Sequence, residues 1–169
     1  MNLSIIYGGS SSEYSVSIKT GLAIADAIKD LYHVDLVDLS QGFDNCLQNL
    51  LNSKLVFNAL HGGDGENGNI QKKLDQHNIL YTGSGPSASE IAINKNISKH
   101  IAESIGMLTP KWIMAEKDSF HKDSLYEKII STFSYPFIVK PSNEGSTYGL
   151  SLVHNLDQLD NAIKIASKY

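Results

Sequence analysis

Arginine is absent from this sequence of 169 residues, because all fourteen basic residues are lysines. Arginine is the side chain that binds carboxylate and phosphate groups through a planar, two-pronged set of donors. Any anion that this chain binds must therefore be held by lysine side chains, backbone N–H groups or hydroxyl groups.

Cysteine and long apolar runs are also scarce. Cys46 is the only cysteine, which excludes an internal disulfide and a cysteine zinc site and fits a reducing cytoplasm. No apolar run approaches the length that spans a bilayer, and the first residues are too short and uncharged for a signal peptide. The net charge of −4, without a basic stripe, argues against nucleic acid as a partner. We expect a cytoplasmic protein that binds neither membrane nor nucleic acid.

Apolar residues nevertheless make up 41% of the chain, which is typical of a globular protein with one ordinary domain or two small ones. In the first half, strand-like and helix-like patterns alternate, which indicates a parallel sheet with helices on its faces. The predicted strands are 3–8, 33–39, 54–60 and 79–82. A helical apolar pattern from 16 to 28 and predicted helices at 43–51 and 69–77 lie between them.

After Gly83 the pattern changes. Predicted helices lie at 87–94, 97–105, 125–133 and 156–168, and predicted strands at 112–115, 137–140 and 150–154. A boundary within 84–95 is expected from this change, so we assign one domain to 1–90 and a second to 91–169.

The most informative segment is 135–149, with the sequence YPFIVKPSNEGSTYG. A short apolar strand ends in Lys140, and a loop rich in glycine and hydroxyl side chains follows up to Gly149. The N–H and hydroxyl groups of such a loop can close over phosphate oxygens, with the lysine as a point charge beside them. This segment alone also allows an ordinary surface hairpin with a lysine at its mouth.

Two further glycine-rich loops follow predicted strands in the first half. The loop from Gly8 to Glu13 offers N–H groups and the positive end of a helix dipole to an anion, while Glu13 suits an ammonium group of the same ligand, such as an amino acid. The second loop places His61 and Glu66 at the carboxyl end of a parallel strand, where α/β sheets bind ligands. The simpler interpretation of the first loop is that Glu13 complements the dipole of its own helix. The simpler interpretation of the second is a tight strand-to-helix connection with solvated polar residues. Two such loops at one sheet edge favour a ligand cleft.

Two glycine patterns of the dinucleotide-binding type, at 63–68 and 83–88, do not meet the other requirements of that site. The first lacks the acidic residue that should follow roughly 20 residues on. The second has Pro86 inside the turn, and no P-loop motif occurs anywhere in the chain.

The order of these motifs resembles the D-alanine–D-alanine ligase family within the ATP-grasp enzymes. The matching segments extend over nearly the whole chain, in the family's order and approximate spacing. They are YGGSSSEYSVS (7–17), FNALHGGDGENGNIQ (57–71), YTGSGPSAS (81–89), NKNISK (94–99), TP (109–110) and PFIVKPSNEGSTYG (136–149).

The resemblance implies a Rossmann-like (pre-ATP-grasp) parallel sheet followed by the first, incomplete α+β lobe of an ATP-grasp domain. It implies that Glu13 and His61 bind the first D-alanine, and that Ser146 hydrogen-bonds toward Glu13. Glu13 and Ser146 are thus the implied catalytic residues. The implied ATP-binding residues are Lys95, Lys140, Glu144, Gly145, Ser146, Thr147 and Gly149.

The implied activity is the ATP-dependent joining of two D-alanine molecules for peptidoglycan synthesis. One D-alanine carboxylate attacks the γ-phosphate of ATP, and the amine of a second D-alanine then displaces phosphate from the acyl phosphate. The family uses ATP and Mg²⁺, but its magnesium ligands have no counterpart in this chain. The family also implies a homodimer formed through the N-terminal domain.

The sequence departs from the family pattern at several places. Tyr14 stands where a basic residue is usual, and Tyr148 stands in the loop where a small apolar residue is usual. Family members continue well beyond Tyr169 with a second ATP-grasp lobe, so we expect the isolated chain to have no ligase activity. A non-catalytic binding or dimerisation module and a D-alanine–D-lactate type ligase are alternatives that the sequence leaves open.

Overall fold

The computed structural model describes residues 2–116 and 122–169, and it divides into two compact units, Met1–Ala92 and Ile93–Tyr169. The first unit contains a parallel sheet in the order β2–β1–β3. Its strands are β1 (Asn2–Tyr7), β2 (His33–Asp38) and β3 (Leu55–Asn58), and its helices are α1 (Tyr14–Ile28), α2 (Phe43–Leu51), α3 (Asn69–Gln76) and α4 (Pro86–Ile93). The predicted parallel α/β sheet is confirmed.

The predicted strand at 79–82 is wrong, because this segment contributes only one parallel bridge, between Val56 and Tyr81. The Val56 N–H donates to the carbonyl of Leu80 at 2.8 Å, and the Thr82 N–H donates to the carbonyl of Val56 at 3.0 Å. The next donor, the N–H of Asn58, bonds instead to the hydroxyl of Thr82 at 3.1 Å. This side-chain acceptor takes the place of a backbone carbonyl and ends the ladder.

The core of the first unit consists of apolar side chains from its sheet and helices. Ile6, Leu50, Val56 and Leu74 in this core are completely buried. The remaining members are Val37, Leu39, Phe43, Cys46, Ile70 and Ile79. Because burial stabilises the fold in proportion to the apolar area removed from water, this core holds the sheet and its helices together.

The second unit contains an antiparallel pair of strands and three helices among its described residues. These elements are α5 (Lys95–Ser104), α6 (Lys122–Thr132), β4 (Phe137–Val139), β5 (Ser151–Val153) and α7 (Leu159–Ala166). The core combines Leu125, Ile129, Val153, Leu159 and Ala162.

The predicted strand at 112–115 is also wrong, because the described residues 111–116 form no regular secondary structure. The side chain of Trp112 is occupied by α5, since its Nε1 donates to Oδ1 of Asn96 at 2.9 Å. The ammonium group of Lys99 lies 5.0 Å from the Trp112 ring centroid. The segment is thus held by its side chains rather than by a neighbouring strand.

The predicted helix at 156–168 is shorter than expected. Leu156–Gln158 form a 3₁₀ turn, and the α-helix begins at Leu159 and ends at Ala166. The side chain of Asn155 accepts a hydrogen bond from the N–H of Gln158 at 3.3 Å, which caps the start of the turn, and the turn runs directly into α7. Within residues 2–116 and 122–169, every helix is too short or too polar to cross a membrane.

Candidate functional site

The loops that follow β1 and β3 are joined by the side chain of Ser11. Its hydroxyl donates to the backbone carbonyl of His61 at 2.5 Å and accepts from the N–H of Glu13 at 3.1 Å. A buried serine on α1, Ser17, makes a second connection by accepting from Gly8 N and donating to the carbonyl of Ala59, both at 2.8 Å. The structure therefore brings the two sequence-predicted loops together at the carboxyl edge of the sheet.

Glu13 lies at the N-terminal end of α1, where its side chain makes no capping hydrogen bond to the helix. The N–H groups of Val16 and Ser17 bond to the backbone carbonyl of Glu13 at 2.9 and 3.0 Å. The N–H of Tyr14 bonds to the carbonyl of Ser11 at 3.2 Å. Several N–H groups at the start of α1 are therefore already bonded to backbone carbonyls. Fewer of them are available to an anion than the sequence predicts.

Gly62 lies beside the Glu13 carboxylate. It has φ +64°, and a Cβ at this position would lie 3.3 Å from Oε1 of Glu13. Such a contact is tight, and L-residues with a side chain rarely adopt this backbone conformation. The glycine therefore keeps the space next to the half-buried carboxylate open.

His61 is fixed by a residue that sequence reasoning missed. Its Nε2 lies 2.9 Å from the hydroxyl of Thr20, one and a half turns into α1. Either atom can donate, depending on the imidazole tautomer. A lone threonine within a helix gives no signal in the sequence, whereas Ser11 belongs to a glycine-rich loop and could have been noticed there.

A cavity of about 190 Å³ lies at the same sheet edge, between the ends of the three strands. His61, Ser11 and Lys73 contribute to its wall, and Glu13 does not. Asp38 at the end of β2 accepts from the N–H of Ser40 at 2.9 Å. The edge therefore carries carboxylate, imidazole, hydroxyl and ammonium groups within one unit.

The side chain of Tyr7, at the end of β1, has a raised pKa. Burial in the first place, and then the proximity of Asp38 and Tyr14, raises the pKa of Tyr7 above its ordinary value. Tyr14, which stands where the resembled family has a basic residue, places its hydroxyl 3.4 Å from Oδ2 of Asp38. The raised pKa keeps the Tyr7 phenol neutral up to a higher pH than that of an ordinary tyrosine.

In the second unit, the loop Ser142–Gly149 joins β4 to β5. Lys140 follows β4 and is exposed, and Ser146 and Thr147 are exposed on the loop itself. Ser146 has φ +48°, a conformation that costs a residue with a side chain about 1 kcal/mol. The loop thus presents one lysine and two hydroxyl groups to solvent.

The far end of the loop is packed tightly at Gly149. A Cβ there would lie 2.6 Å from Cγ of Pro141 and 2.9 Å from Cδ2 of Tyr169, and the φ of Gly149 is +67°. The Tyr148 ring, the unusual residue of the loop, lies 6.4 Å from the Tyr169 ring. Tyr148 is therefore half-buried against an aromatic neighbour.

Lys95 lies in the same unit but is turned toward the loop backbone. Its ammonium group donates to the carbonyl of Ser142 at 3.3 Å and to the carbonyl of Glu144. Lys140 makes no such bond among the described residues. The two predicted phosphate lysines thus have different surroundings.

The predicted site residues fall into two groups. Glu13 and His61 belong to the first unit, whereas Ser146 and the predicted ATP-binding residues belong to the second. The expected hydrogen bond from Ser146 toward Glu13 stays a prediction. Within residues 2–116 and 122–169, no group of three or more His, Cys, Asp or Glu side chains could hold a metal ion.

Comparison with known proteins gives a consistent result over both units. The family profile described as "D-ala D-ala ligase C-terminus" matches residues 101–169. The D-alanine–D-alanine ligase of Marinomonas sp. (strain MWYL1) is 36% identical over 172 residues, covering 99% of this chain and 53% of the relative. The ligase of Aquifex aeolicus (strain VF5) is 38% identical over 162 residues, covering 94% of this chain and 53% of the relative.

Solved structures agree with the sequence comparison. The D-alanine–D-alanine ligase of Bacillus anthracis has a TM-score of 0.83 and 32% identity, over 97% of this chain and 53% of that chain. The same enzyme complexed with ATP has a TM-score of 0.81 and 31% identity, over 100% of this chain and 53% of that chain. The VanG D-Ala:D-Ser ligase of Enterococcus faecalis, at 22% identity, 99% of this chain, 60% of that chain and a TM-score of 0.82, shares the fold. The chain spans about half the length of the curated relatives it matches.

Proposed function

The chain belongs to the D-alanine–D-alanine ligase family, and from this premise we propose that it serves in the ATP-dependent joining of two D-alanine molecules. One observation carries the proposal: each unit presents a polar loop system of the kind that such a reaction needs. In the first unit the loops of Glu13 and His61 are joined through Ser11. In the second unit Lys140 precedes a loop rich in glycine and hydroxyl groups.

The first unit supplies a place for the first D-alanine in this proposal. The Glu13 carboxylate, with space kept beside it by Gly62, balances the charge of the ammonium group of the amino acid. His61, held by Thr20, offers a ring nitrogen or N–H to the same ligand. Both side chains lie on loops that Ser11 joins by hydrogen bonds, and such pre-organisation limits the entropy lost on binding.

The second unit supplies a place for ATP. Ile138 and Leu152 are opposite each other across β4 and β5, and both are half exposed, at 55% and 51%. This apolar pair suits the flat face of a nucleobase, and Lys140 beside it suits phosphate oxygens. The exposed hydroxyl groups of Ser146 and Thr147 are further donors to phosphate. The residues present therefore fit a nucleotide.

In the proposed reaction, the carboxylate oxygen of the first D-alanine forms a bond to the γ-phosphorus, and the bond to ADP breaks. The amine of the second D-alanine then attacks the acyl carbon, loses a proton, and phosphate leaves. Such transfers depend on positioning and charge neutralisation more than on covalent catalysis. The residues of this chain orient the first amino acid and the phosphates.

The family resemblance further implies Mg²⁺ as a cofactor. It also implies a homodimer, which we include in the proposal together with the cytoplasmic location that fits the single cysteine. Mg²⁺ would supply charge neutralisation on the phosphates when bound, but within the described residues no group of three or more His, Cys, Asp or Glu side chains could hold it. A homodimer through the first unit is carried over from the family resemblance alone. Sedimentation that shows only monomer across micromolar concentrations would exclude the dimer.

Titration by nuclear magnetic resonance tests the two ligand sites separately. We expect D-alanine to shift the amide signals of the loops 8–13 and 60–66, and ATP to shift those of 140–149. L-alanine is the matched control ligand, and Glu13→Gln should remove the D-alanine response while leaving the ATP response unchanged. A chain that responds to neither D-alanine nor ATP would contradict the proposed function.

A further inference from the structure

The ammonium group of Lys95 is bonded to backbone carbonyls of the loop Ser142–Gly149, and the ATP-binding role that the family resemblance implies for it stays a prediction. We propose that its ammonium group holds the start of the loop Ser142–Gly149 in place before any nucleotide binds, which makes Lys95 a positioning residue for this loop. This role deepens the proposed function and rests on it, because the loop binds phosphate only if the chain binds ATP. The loop contacts themselves can be tested without a nucleotide.

The contacts come from the backbone and the side chain of the same residue. The N–H of Lys95 donates to the carbonyl of Ser142 at 3.1 Å, and its ammonium group donates to that carbonyl at 3.3 Å. The ammonium group also donates to the carbonyl of Glu144. Hydrogen bonds from a charged donor are about twice as strong as neutral ones, so this is a firm attachment.

Asn94 reinforces the attachment from the start of α5. Its side chain caps the helix by accepting from the N–H groups of Asn96 and Ile97 at 3.1 and 3.0 Å. The same oxygen lies 3.4 Å from the hydroxyl of Ser142. The capped end of α5 is therefore the platform on which the loop begins.

The direction of the two carbonyls gives the attachment its significance. In a trans peptide the carbonyl and the following N–H point in opposite directions. Since the carbonyls of Ser142 and Glu144 point toward Lys95, the N–H groups of Asn143 and Gly145 point away from it. Lys95 thus sets the orientation of the peptide groups 142–143 and 144–145, and with it the orientation of the N–H groups that this loop can offer to a ligand.

Cleavage by a glutamate-specific protease in the absence of nucleotide tests the inference, because the bond after Glu144 includes the carbonyl that Lys95 holds. In Lys95→Met of the full chain, we expect cleavage at Glu144 to rise about tenfold relative to cleavage at Glu127, as loss of a charge-assisted hydrogen bond predicts. Lys95→Arg, which keeps a cation and donors, should restore most of the protection.

Lys99→Met is the matched control, because Lys99 lies one turn further along α5 and bonds elsewhere. Its ammonium group donates to the Thr109 hydroxyl at 2.6 Å and to the Pro110 carbonyl at 2.7 Å. Cleavage at Glu144 should stay at the wild-type rate in this variant. General loosening of the unit would instead raise cleavage at Glu127 and Glu144 together and would overturn the inference.

Equal cleavage at Glu144 in wild type and Lys95→Met would also overturn it. If Lys95→Met does not fold, the wild-type protein provides the test, since the ¹⁵Nζ–¹H signal of a held ammonium group exchanges slowly with water. A Lys95 signal exchanging as fast as those of exposed lysines would reject the attachment. Failure of the proposed function would appear separately, as a missing response to ATP or D-alanine in a protein whose loop is protected.

Discussion

At the scale of single residues, position in the fold separates side chains that look equivalent in the sequence. Ser10, Ser11 and Ser12 are consecutive serines in a glycine-rich loop, and the sequence gives no reason to prefer one of them. In the structure the Ser11 hydroxyl joins the loop of Glu13 to the loop of His61, while Ser10 is exposed. Only the chain's long-range folding brings the acceptor carbonyl of His61 to this hydroxyl.

Replacing Ser11 by alanine should therefore weaken both the fold and the site. We expect Ser11→Ala to lower the free energy of unfolding by about 1–2 kcal/mol, because it removes two hydrogen bonds. The affinity for D-alanine should fall as the loops separate. Urea denaturation and D-alanine titration measure the two effects, and Ser10→Ala is the control that should change neither. Equal behaviour of the two variants would contradict the role of Ser11.

Tyr126 should make stability sensitive to alkaline pH. Burial, and then the hydrogen bond and charge of Asp160, raises the pKa of Tyr126 from 10.0 to about 12. Between these values the unfolded chain has lost the proton that the folded chain still binds, so the free energy of unfolding falls as the pH rises from 10 to about 12. Below pH 10 this contribution is fully present.

Tyr126→Phe should flatten this loss of stability across the same pH interval. Urea denaturation at several pH values, followed by the fluorescence of Trp112, the single tryptophan of the chain, measures the slope. Tyr135→Phe changes an exposed tyrosine of the same unit and serves as the control. A slope that is identical in wild type and Tyr126→Phe would show that Tyr126 titrates alike in the folded and unfolded chain.

At the scale of elements, the position of a helix start decides which side chains are buried. The apolar spacing predicts that Leu156 and Leu159 share one helical face. The structure instead places Leu156 in a capped 3₁₀ turn with 43% exposure, whereas Leu159 on α7 is completely buried. The sequence reveals the apolar spacing. The 3₁₀ turn that Asn155 caps then places Leu156 outside the buried face of α7.

Leu159→Ala should cost about 2–5 kcal/mol of unfolding free energy, because it leaves a cavity in the core of the second unit. Leu156→Ala should cost less than about 1 kcal/mol, since the side chain is largely solvated. Denaturation followed by Trp112 fluorescence compares the two variants. Similar losses for both would mean that the continuous helix predicted from the sequence is correct.

Strand predictions are correct for several alternating or continuously apolar runs. They are wrong at 79–82 and 112–115, where side-chain contacts replace or end the pairing with a neighbouring strand. The run 55–58 forms β3 as expected, within a slightly longer prediction. The run 112–115 has a similar apolar character, but no strand within residues 2–116 and 122–169 pairs with it, and its Trp112 side chain contacts α5 instead. A strand exists only when another strand satisfies its backbone groups, and a local pattern does not contain that information.

At the scale of the whole molecule, each unit has its own core. The core of the first unit draws its members from 6 to 79, and that of the second from 125 to 162. Because all contributors to the first core precede residue 93, we propose that 1–92 is an independent domain. The assignment of the first D-alanine site to this domain stays a prediction.

A polypeptide of residues 1–92 should fold alone and unfold cooperatively in urea, as judged by circular dichroism. A shorter control, 1–60, should remain unfolded because it lacks the core residues Ile70, Leu74 and Ile79. A gradual, non-cooperative transition of 1–92 would contradict the independence of the domain. The longer piece should also keep the amide shifts that D-alanine induces.

The sequence by itself determined the parallel α/β class, the positions of the three glycine-rich loops and the family, because these depend on local composition and on the order of motifs. It also identified Glu13, His61, Lys95 and Lys140 as the side chains of interest. Tertiary structure decided what these side chains contact. Thr20 fixes His61, Ser11 joins two loops, and Lys95 binds loop carbonyls, since each contact joins residues far apart in sequence that only packing brings within hydrogen-bond distance.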